Sequence, residues 1–281
     1  MFGLLGKRLP PLLLNLVKGL IALGLLGITL VIRGQPPVAI DLGPLLILLL
    51  SGVIGIGLGD TAYFTAVNTL GPRRALLMES LAPPLAALLA GFVLQELLPV
   101  RAWLGIGLTV AGVAWVISER LPVAAGMAAT RAPHWRSVSW GALSALGQAT
   151  GAVMSRSVLV DTGVDPLWSS FLRLLGGLIV LLPLLARQGW PQLRPQLQQL
   201  RSQRLLAGVA IAAFLGTYLG IWLQQTAFKY TETGIAQSLT ATSPLFVLPM
   251  VALLGERISP RAIFGVALSI LGIALLFWRG G

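Results

Sequence analysis

The sequence predicts an all-α integral membrane protein, a helical bundle of inverted repeats with nine visible spans. Composition is the first reason, because 56% of the 281 residues are hydrophobic and only 10% are charged, whereas soluble domains carry about 25% charged residues. The second reason is a series of apolar runs of roughly 18 to 25 residues, long enough to cross a ~30 Å hydrocarbon core as helices. The third is a motif, from a proline to a glutamate, that occurs twice.

The apolar runs are separated by mostly short polar joints. The first run follows Lys7 and Arg8, as in a signal peptide, but about 22 residues are too many for a signal-peptide core and no small-residue cleavage site follows. We therefore interpret it as a spanning helix. The predicted spans are 11–32, 43–67, 73–95, 101–118, 138–159, 166–186, 205–228, 233–255 and 260–278.

The second half of the chain repeats the first. The segment "LAPPLAALLAGFVLQE" (81–96) has a counterpart, "ATSPLFVLPMVALLGE" (241–256), with a proline and the final glutamate at the same places. A shift of 160 positions aligns the region from this proline through the next helix without a gap, and a shift of 155 aligns the region further upstream. The matched pairs include Pro84 and Pro244, Glu96 and Glu256, Gly105 and Gly265, Gly112 and Gly272, Pro11 and Pro166, and Lys18 and Arg173.

The duplication predicts a first repeat at residues 1–119, a connecting loop at 120–137 and a second repeat at 138–281. The second repeat has five spans and the first has four, because the counterpart of span 138–159 would precede Met1. Either the given start is internal to a longer reading frame, which we favour, or the chain lacks that helix. A five-span unit enters the membrane inverted in its second copy, a common design of secondary transporters.

Lys and Arg lie unevenly on the two sides of the predicted membrane. The joints on the N-terminal side hold 13 of them and the joints on the opposite side hold 5. Because such residues concentrate in cytoplasmic joints, we expect the N-terminal side in the cytoplasm and the C-terminus outside, in a bacterial plasma (inner) membrane. The net charge of +11 therefore does not indicate nucleic-acid binding, and no basic face with an aromatic platform accompanies it.

A proline, a mostly apolar run, a glutamate and a glycine-spaced helix occur in each half. This doubled pattern resembles the EamA branch of the drug/metabolite transporter superfamily. The segment "GLGDTAYFTAVNTLGPRRALLMESLAPP" (57–84) is also similar to the hairpin of that family's third and fourth helices. The resemblance implies ten helices in two inverted repeats and transport of small metabolites or drugs. This chain departs from the family in lacking the first helix, and in a charge balance that places its C-terminus outside rather than in the cytoplasm.

Three ionisable residues, Lys18, Asp60 and Glu79, lie inside predicted spans, where such residues usually face a bundle interior or an aqueous cavity. Lys18 lies about seven residues, roughly 10 Å, into its span. Asp60 and Glu79 flank one hairpin at a similar depth, so the three are predicted to meet. Three interpretations stay open. The residues form a structural ion pair, or they do not meet at all, or they form a cluster that handles substrate or protons, because a carboxylate without its own cation can exchange a proton.

The second half carries amide and aromatic residues instead. Positions 60 and 79 correspond to Gly220 and Leu239, and only Arg173 corresponds to Lys18. Charged residues in the first half of the chain and amide and aromatic residues in the second suit a zwitterionic or polar organic substrate. Amides and hydroxyls in membrane spans also form hydrogen bonds that bridge helices. The second-half candidates are Tyr218, Trp222, Gln224, Gln225, Gln237, Ser238 and Thr240, with Gln225 and Gln237 predicted to face each other across their hairpin. Weaker lining candidates are Asn15, Tyr63, Gln148, Trp168 and Ser170.

The repeated motif has a structural interpretation. Prolines inside spans bend helices and free backbone carbonyl groups, which applies to Pro83, Pro84, Pro244 and Pro249. Glu96 and Glu256 end their helices beside polar joints, and we expect them to pair with arginines such as Arg101 and Arg257.

The predicted function is that of a secondary transporter, a permease or exporter, that moves small polar or amphipathic metabolites or drugs by alternating access. Protons at Asp60 and Glu79 are the candidate coupling ion. The alternatives are a non-transporting membrane subunit and an intramembrane enzyme acting on lipid-linked substrates. We expect no enzyme activity, cofactor or metal, because the chain has no cysteine, one histidine and no phosphate-binding loop. The expected partners are a small-molecule substrate and the lipid bilayer, and no oligomeric state follows.

Overall fold

The chain is a bundle of helices in a computed structural model that describes residues 10–34, 40–118, 135–187, 202–246 and 259–277. All regular secondary structure in these ranges is helical, which confirms the predicted all-α membrane fold. Seven of the described stretches are long and apolar enough to cross a membrane: Leu12–Ile32, Leu42–Leu70, Arg74–Val93, Val100–Ser118, Pro166–Ala186, Leu205–Tyr230 and Pro260–Phe277.

In the N-terminal part, the described residues 10–34 and 40–118 form six α-helices and one π-helical segment. In chain order they are α1 (Pro11–Ile32), α2 (Leu42–Gly52), the first π segment (Val53–Asp60), α3 (Thr61–Leu70), α4 (Pro72–Glu79), α5 (Ala82–Val93) and α6 (Val100–Ser118). Helices α2 and α3 continue one another through the π segment and form a single predicted span. Gly71, with φ of 85°, adopts the left-handed conformation that turns the chain into α4.

The C-terminal part is described from residue 135 onward, with gaps. Its elements are α7 (Trp135–Asp161), α8 (Pro166–Ala186), α9 (Gln203–Ala212), the second π segment (Ala213–Leu219), α10 (Gly220–Tyr230), α11 (Thr233–Ala241), a 3-10 turn (Ser243–Phe246) and α12 (Pro260–Phe277). Helix α7 has 27 residues but is not among the seven apolar stretches. Residues 247–258 of the predicted span and joint, with Pro249, Glu256 and Arg257, lie outside the described residues.

The predicted span 73–95 is two helices rather than one. Helix α4 ends at Glu79, and α5 begins at Ala82 with Pro83 and Pro84 in its first turn. A proline has no N–H to donate and its ring clashes with the preceding turn, so it fits the start of a helix but not its interior. The helix is therefore interrupted just before the two prolines, which leaves Glu79 at the end of a helix.

Helices α6 and α12 pack with their backbones in contact. A Cβ on Gly112 would lie 2.5 Å from the carbonyl oxygen of Gly265, and a Cβ on Gly272 would lie 2.8 Å from that of Gly105. At the centre, Ser269 Oγ donates to the carbonyl oxygen of Thr109 at 3.3 Å. The contacts are reciprocal between matched positions of the sequence repeat. Small residues allow this approach, which maximises van der Waals contact between membrane helices.

An apolar cluster packs together the two helices that carry the buried cations. It joins α1 to α8 through fully buried leucines such as Leu14, Leu26 and Leu174. Helix α8 starts at a defined residue because the Asp165 side chain accepts the N–H of Leu167 at 2.8 Å. Since α1 carries Lys18 and α8 carries Arg173, their packing holds both cations inside the bundle.

Candidate substrate cavity

A cavity of about 380 Å³ lies between the N-terminal and C-terminal parts. Elements α1, α4 and α5 and the first π segment form one wall; α7, α8, α10, α11 and the second π segment form the other. Eight of the residues predicted from the sequence line it: Lys18, Asp60, Glu79, Gln148, Arg173, Gln224, Gln237 and Thr240. Among the described residues, no group of three or more His, Cys, Asp or Glu could hold a metal ion.

Lys18 and Asp60 form an ion pair on the cavity wall. Lys18 Nζ lies 2.6 Å from Asp60 Oδ2, and the two side chains are 7% and 20% exposed. The ammonium group also lies 4.8 Å from the ring centre of Phe64, a cation–π contact. The other carboxylate oxygen, Asp60 Oδ1, accepts a hydrogen bond from Gln148 Nε2 at 2.8 Å. The predicted meeting of Lys18 and Asp60 is confirmed, and both oxygens of the carboxylate are bonded.

Glu79 lines the same cavity without joining this ion pair. Its Oε2 accepts a hydrogen bond from Ser144 Oγ at 2.6 Å. Among the described residues, no Lys or Arg nitrogen lies within 4.0 Å of its carboxylate. The cavity therefore contains two carboxylates with different partners: Asp60 is held by a cation, and Glu79 is held by a hydroxyl group.

Arg173 is almost fully buried, at 1% exposed, yet it touches the cavity. Its Nη1 donates to the carbonyl oxygen of Gly151 and to Ser155 Oγ, each at 2.8 Å. Two glycines make room for the guanidinium, because a Cβ on Gly55 or Gly151 would lie 2.6 Å or 3.1 Å from Nη2. The Nε atom is buried without a hydrogen-bond partner among the described residues.

The aromatic candidates lie outside the set of residues that line the cavity. Tyr218 shares a 2.8 Å hydrogen bond with Thr29 Oγ1, and its ring lies 5.9 Å from that of Trp222. Trp222 also lies beneath the guanidinium of Arg33, at 5.4 Å. Tyr63 is half-buried, with its ring 5.6 Å from that of Phe64. The contacts of Tyr218 with Thr29 and of Trp222 with Arg33 join α1 to the helix that carries these aromatic residues.

Gln225 and Gln237 do not face each other as predicted. Gln225 is fully buried, and its Oε1 accepts a hydrogen bond from Ser169 of α8 at 3.0 Å. Gln237 Nε2 instead donates to the carbonyl oxygen of Gln148 in α7 at 3.3 Å. The reason is that α10 presents Gln225 to α8, whereas α11 presents Gln237 to α7 and the cavity.

Ser144 is not among the residues predicted from the sequence, and Gln148 is among the weaker candidates. The two residues bond Glu79 and Asp60 and lie one helical turn apart on α7. Small residues flank them at helical spacing, from Gly141 to Gly151. This stripe of small and polar side chains, recurring every three or four residues, is the signal that marks the face of α7 toward the cavity.

Glu96 pairs with a different arginine from the predicted Arg101. Its Oε1 lies 2.6 Å from Arg156 Nε, and its Oε2 accepts the N–H of Thr233 at 2.9 Å. Arg156 Nη1 also donates to the carbonyl oxygen of Phe228. Arg101 lies in the first turn of α6 and is exposed, so it points away from this junction. We call this end of the bundle, with residues 94–99 and the turn at 231–232, the distal end.

Comparison with known proteins identifies the family. The model of the EamA-like transporter family matches residues 1–118 and 135–278. The chain belongs to the EamA-like transporter family. With its seven long apolar helices, this EamA-like protein is a multi-pass integral membrane protein. The resemblance seen in the repeated motif is confirmed.

Two further matches agree with this assignment. A protein of Archaeoglobus fulgidus named as an uncharacterized transporter is 30% identical over 136 residues, which span 48% of this chain and 43% of the archaeal protein. A solved crystal structure shares the fold at a TM-score of 0.74 and 17% identity, covering 97% of this chain and 89% of that one. The EamA-like transporter therefore has a fold already observed by experiment.

Proposed function

We propose that this protein is a secondary transporter that moves small polar or amphipathic metabolites or drugs by alternating access. The observation that carries the proposal is the cavity, whose wall combines Lys18, Asp60 and Glu79 with Arg173 and Gln237. Ionisable residues within membrane spans commonly mark substrate and ion pathways. Their presence on both walls gives a solute of mixed charge and polarity a binding site between the two parts of the chain.

The two parts are, in this proposal, inverted repeats that rock against each other. Two observations support it. The π segments Val53–Asp60 and Ala213–Leu219 occupy matched positions under the shift of 160, and both contribute to the cavity wall. Helices α6 and α12 contact each other through matched glycines. Irregular helices beside a site at the interface of two repeats are common features of secondary transporters.

An ion pair joins the two parts at the distal end. Glu96 belongs to the N-terminal part, and Arg156 and Thr233 belong to the C-terminal part. Opening the distal end separates these groups, so the transport cycle includes breaking and re-forming this contact. We propose that the distal end faces the exterior of a bacterial inner membrane, as the distribution of positive charge in the joints favours.

Glu79 is the proposed proton-exchanging group. Its carboxylate can take up a proton without breaking an ion pair within the described structure, since it is held by the hydroxyl group of Ser144. Asp60 would lose its contact with Lys18 on protonation. In this scheme Glu79 exchanges protons with the cavity, and Asp60 keeps Lys18 neutralised.

Resistance and flux test the proposal. A bacterial host that expresses the chain is grown on toxic amino acids, their analogues and cationic drugs, and flux of each protective compound is measured in sealed vesicles. We expect protection and flux with the wild type and loss of both with Asp60→Asn and Glu79→Gln. The matched control is Glu232→Gln, an exposed acidic residue outside the cavity, which should transport normally.

The same assay separates the alternatives. Absence of flux for every compound would favour a non-transporting subunit, and chemical change of a lipid-linked substrate would mark an intramembrane enzyme. Flux that is unchanged in both cavity variants would leave the transporter in place and make the two carboxylates structural. Flux that responds to a pH gradient in the wild type but not in Glu79→Gln would support the proton role.

A further inference from the structure

Glu79 and Arg173, two charged residues of the cavity, contact α7 at different levels. Ser144 of α7 donates a hydrogen bond to Glu79. Arg173 donates to Gly151 and Ser155, which lie seven and eleven residues further along the same helix. At about 1.5 Å per residue, these steps are roughly 10 and 16 Å along the helix axis. The guanidinium group is therefore too far along the bundle to neutralise the Glu79 carboxylate directly.

The Lys18–Asp60 pair lies between these two levels. Gln148, one helical turn after Ser144, bonds Asp60. Because Lys18 and Asp60 carry opposite charges only 2.6 Å apart, they leave no net charge at this level. Among the described residues, no Lys or Arg nitrogen lies within 4.0 Å of the Glu79 carboxylate. When it is ionised, Glu79 therefore makes its end of the cavity negative, and a carboxylate inside a membrane protein is costly without a cation.

The backbone around Glu79 also favours a cation. Glu79 ends α4, and Pro83 and Pro84 lie in the first turn of α5. Because proline has no N–H, the carbonyl groups four residues earlier, those of Glu79 and Ser80, have no helical donor. The C-terminal end of a helix carries a partial negative charge, and interrupted helices in secondary transporters coordinate cations with such ends. Since Glu79, Ser80 and Pro83 all line the cavity, the negative end of α4 adjoins it.

The described lining of the cavity offers oxygen atoms rather than aromatic rings. None of the described residues that line it is Phe, Tyr or Trp, and aromatic faces are what proteins use to bind quaternary ammonium groups. A primary ammonium group has three N–H donors and needs hydrogen-bond acceptors instead. The hydroxyl groups of Ser80, Thr240 and Ser243 belong to lining residues, and hydroxyl oxygens can accept such bonds. The lining therefore favours a cation that donates hydrogen bonds.

We propose that the cavity binds the primary ammonium group of a small organic amine at Glu79, in preference to a quaternary ammonium group. The inference rests on the proposed transport function and adds a substrate class to it. Glu79 is accessible, since it lines the cavity and is only half-buried. Ser144 occupies one acceptor position of its carboxylate, and an ionised carboxylate has further positions for N–H donors. Hydrogen bonds between two charged groups are about twice as strong as neutral ones.

The test compares cations that differ in their ability to donate hydrogen bonds. The purified chain in detergent is titrated with the chloride salts of butylammonium and butyltrimethylammonium, with sodium chloride and with butanol as the neutral partner, while the melting temperature is followed. Butylamine is protonated near neutral pH, as a lysine side chain is. We expect butylammonium to raise the melting temperature more than any of the other three at equal concentration.

A variant of Glu79 provides the second comparison. In Glu79→Gln the amide oxygen can still accept the Ser144 hydrogen bond, but the charge is gone. Butylammonium should then bind at least about tenfold more weakly, the scale of a lost hydrogen bond to a charged group. Glu232→Gln, an exposed acidic residue that does not line the cavity, is the matched control and should bind butylammonium as the wild type does.

Several results would overturn the inference. They are equal stabilisation by butylammonium and butyltrimethylammonium, equal stabilisation by butylammonium and sodium, no stabilisation by butylammonium, and unchanged affinity in Glu79→Gln. The first three are measured on the wild type, so the test decides even if the variant fails to fold.

The outcome is separable from that of the proposed function. Vesicle flux of other compounds without binding of butylammonium would keep the transporter and remove the ammonium site. Stabilisation by butylammonium with no flux of any compound would keep the site and remove the transporter.

Discussion

At the residue scale, the similar depth of three ionisable residues in their predicted spans correctly indicated that they line one cavity. Counting positions from the hairpin turn placed Asp60 and Glu79 level with Lys18, and all three line one cavity. The count could not predict which carboxylate takes the ammonium, because that depends on the rotation of each helix about its axis. Ser144 was missed for the same reason, since a serine in an apolar helix is informative only once its face is known.

Removing only one partner of the Lys18–Asp60 pair should destabilise the protein more than replacing both partners. Removing one partner of a buried pair costs about 3–5 kcal/mol, whereas replacing both is often near neutral. Asp60→Asn should therefore lower the free energy of unfolding by that order, and Lys18→Met with Asp60→Asn should restore much of it. Unfolding in detergent measures both. Glu79→Gln is the matched control, because the Gln amide oxygen can still accept the Ser144 hydrogen bond. An equally large loss in the double variant would contradict the prediction.

At the element scale, apolar runs, prolines and joints predicted where helices begin and end, because each of these signals is local. The π segments were not predicted. The run "VIGIGLGD" (53–60) is apolar and glycine-rich, so it carries no periodicity that separates a π-helical turn from an α-helical one. Such a segment forms through the packing of neighbouring helices, which a single sequence window does not contain.

Because α6 packs closely against α12, replacing two different glycines of α6 by alanine should have opposite effects on stability. Gly112 has no room for a Cβ, with Gly265 O at 2.5 Å, whereas Gly107 has no atom within 4 Å. Gly112→Ala should destabilise the protein by about 1–3 kcal/mol through overpacking. Gly107→Ala should leave stability unchanged or raise it by about 0.5–1 kcal/mol, since alanine is the better helix former. Melting curves in detergent compare the two, and equal shifts would count against the close contact.

At the scale of the whole molecule, the repeated motif predicted a bundle of the correct class and family. The sequence did not predict that Glu96 of one part binds Arg156 and Thr233 of the other. Contacts between distant segments depend on how the two parts are oriented, and two sequence shifts do not fix that orientation. The same limit explains why Arg101, the nearest arginine to Glu96 in the N-terminal half, was the wrong partner.

The distal ion pair should control access to the cavity. The chain has no cysteine, so Thr240→Cys, on the cavity wall, can be labelled alone by a membrane-impermeant maleimide. Adding Glu96→Ala should raise the labelling rate from the distal side, because Arg156 and the N–H of Thr233 both lose their acceptor. A loss of about 1.4 kcal/mol in the closed state raises the open population roughly tenfold when that state is rare. Glu232→Ala, near the same turn, is the control, and equal rates in both variants would exclude a gating role.

The reciprocal glycine contacts have a consequence for the origin of the chain. Under the proposed duplication, α6 and α12 are copies of one ancestral helix, so the contact between them is a surface meeting its own counterpart. Such a contact is isologous, which means that the same surface is used on both sides, as in a two-fold symmetric dimer. A single ancestral repeat, inserted in both orientations, could therefore have paired with itself through the same four glycines. Gene fusion would then have fixed one copy in each orientation.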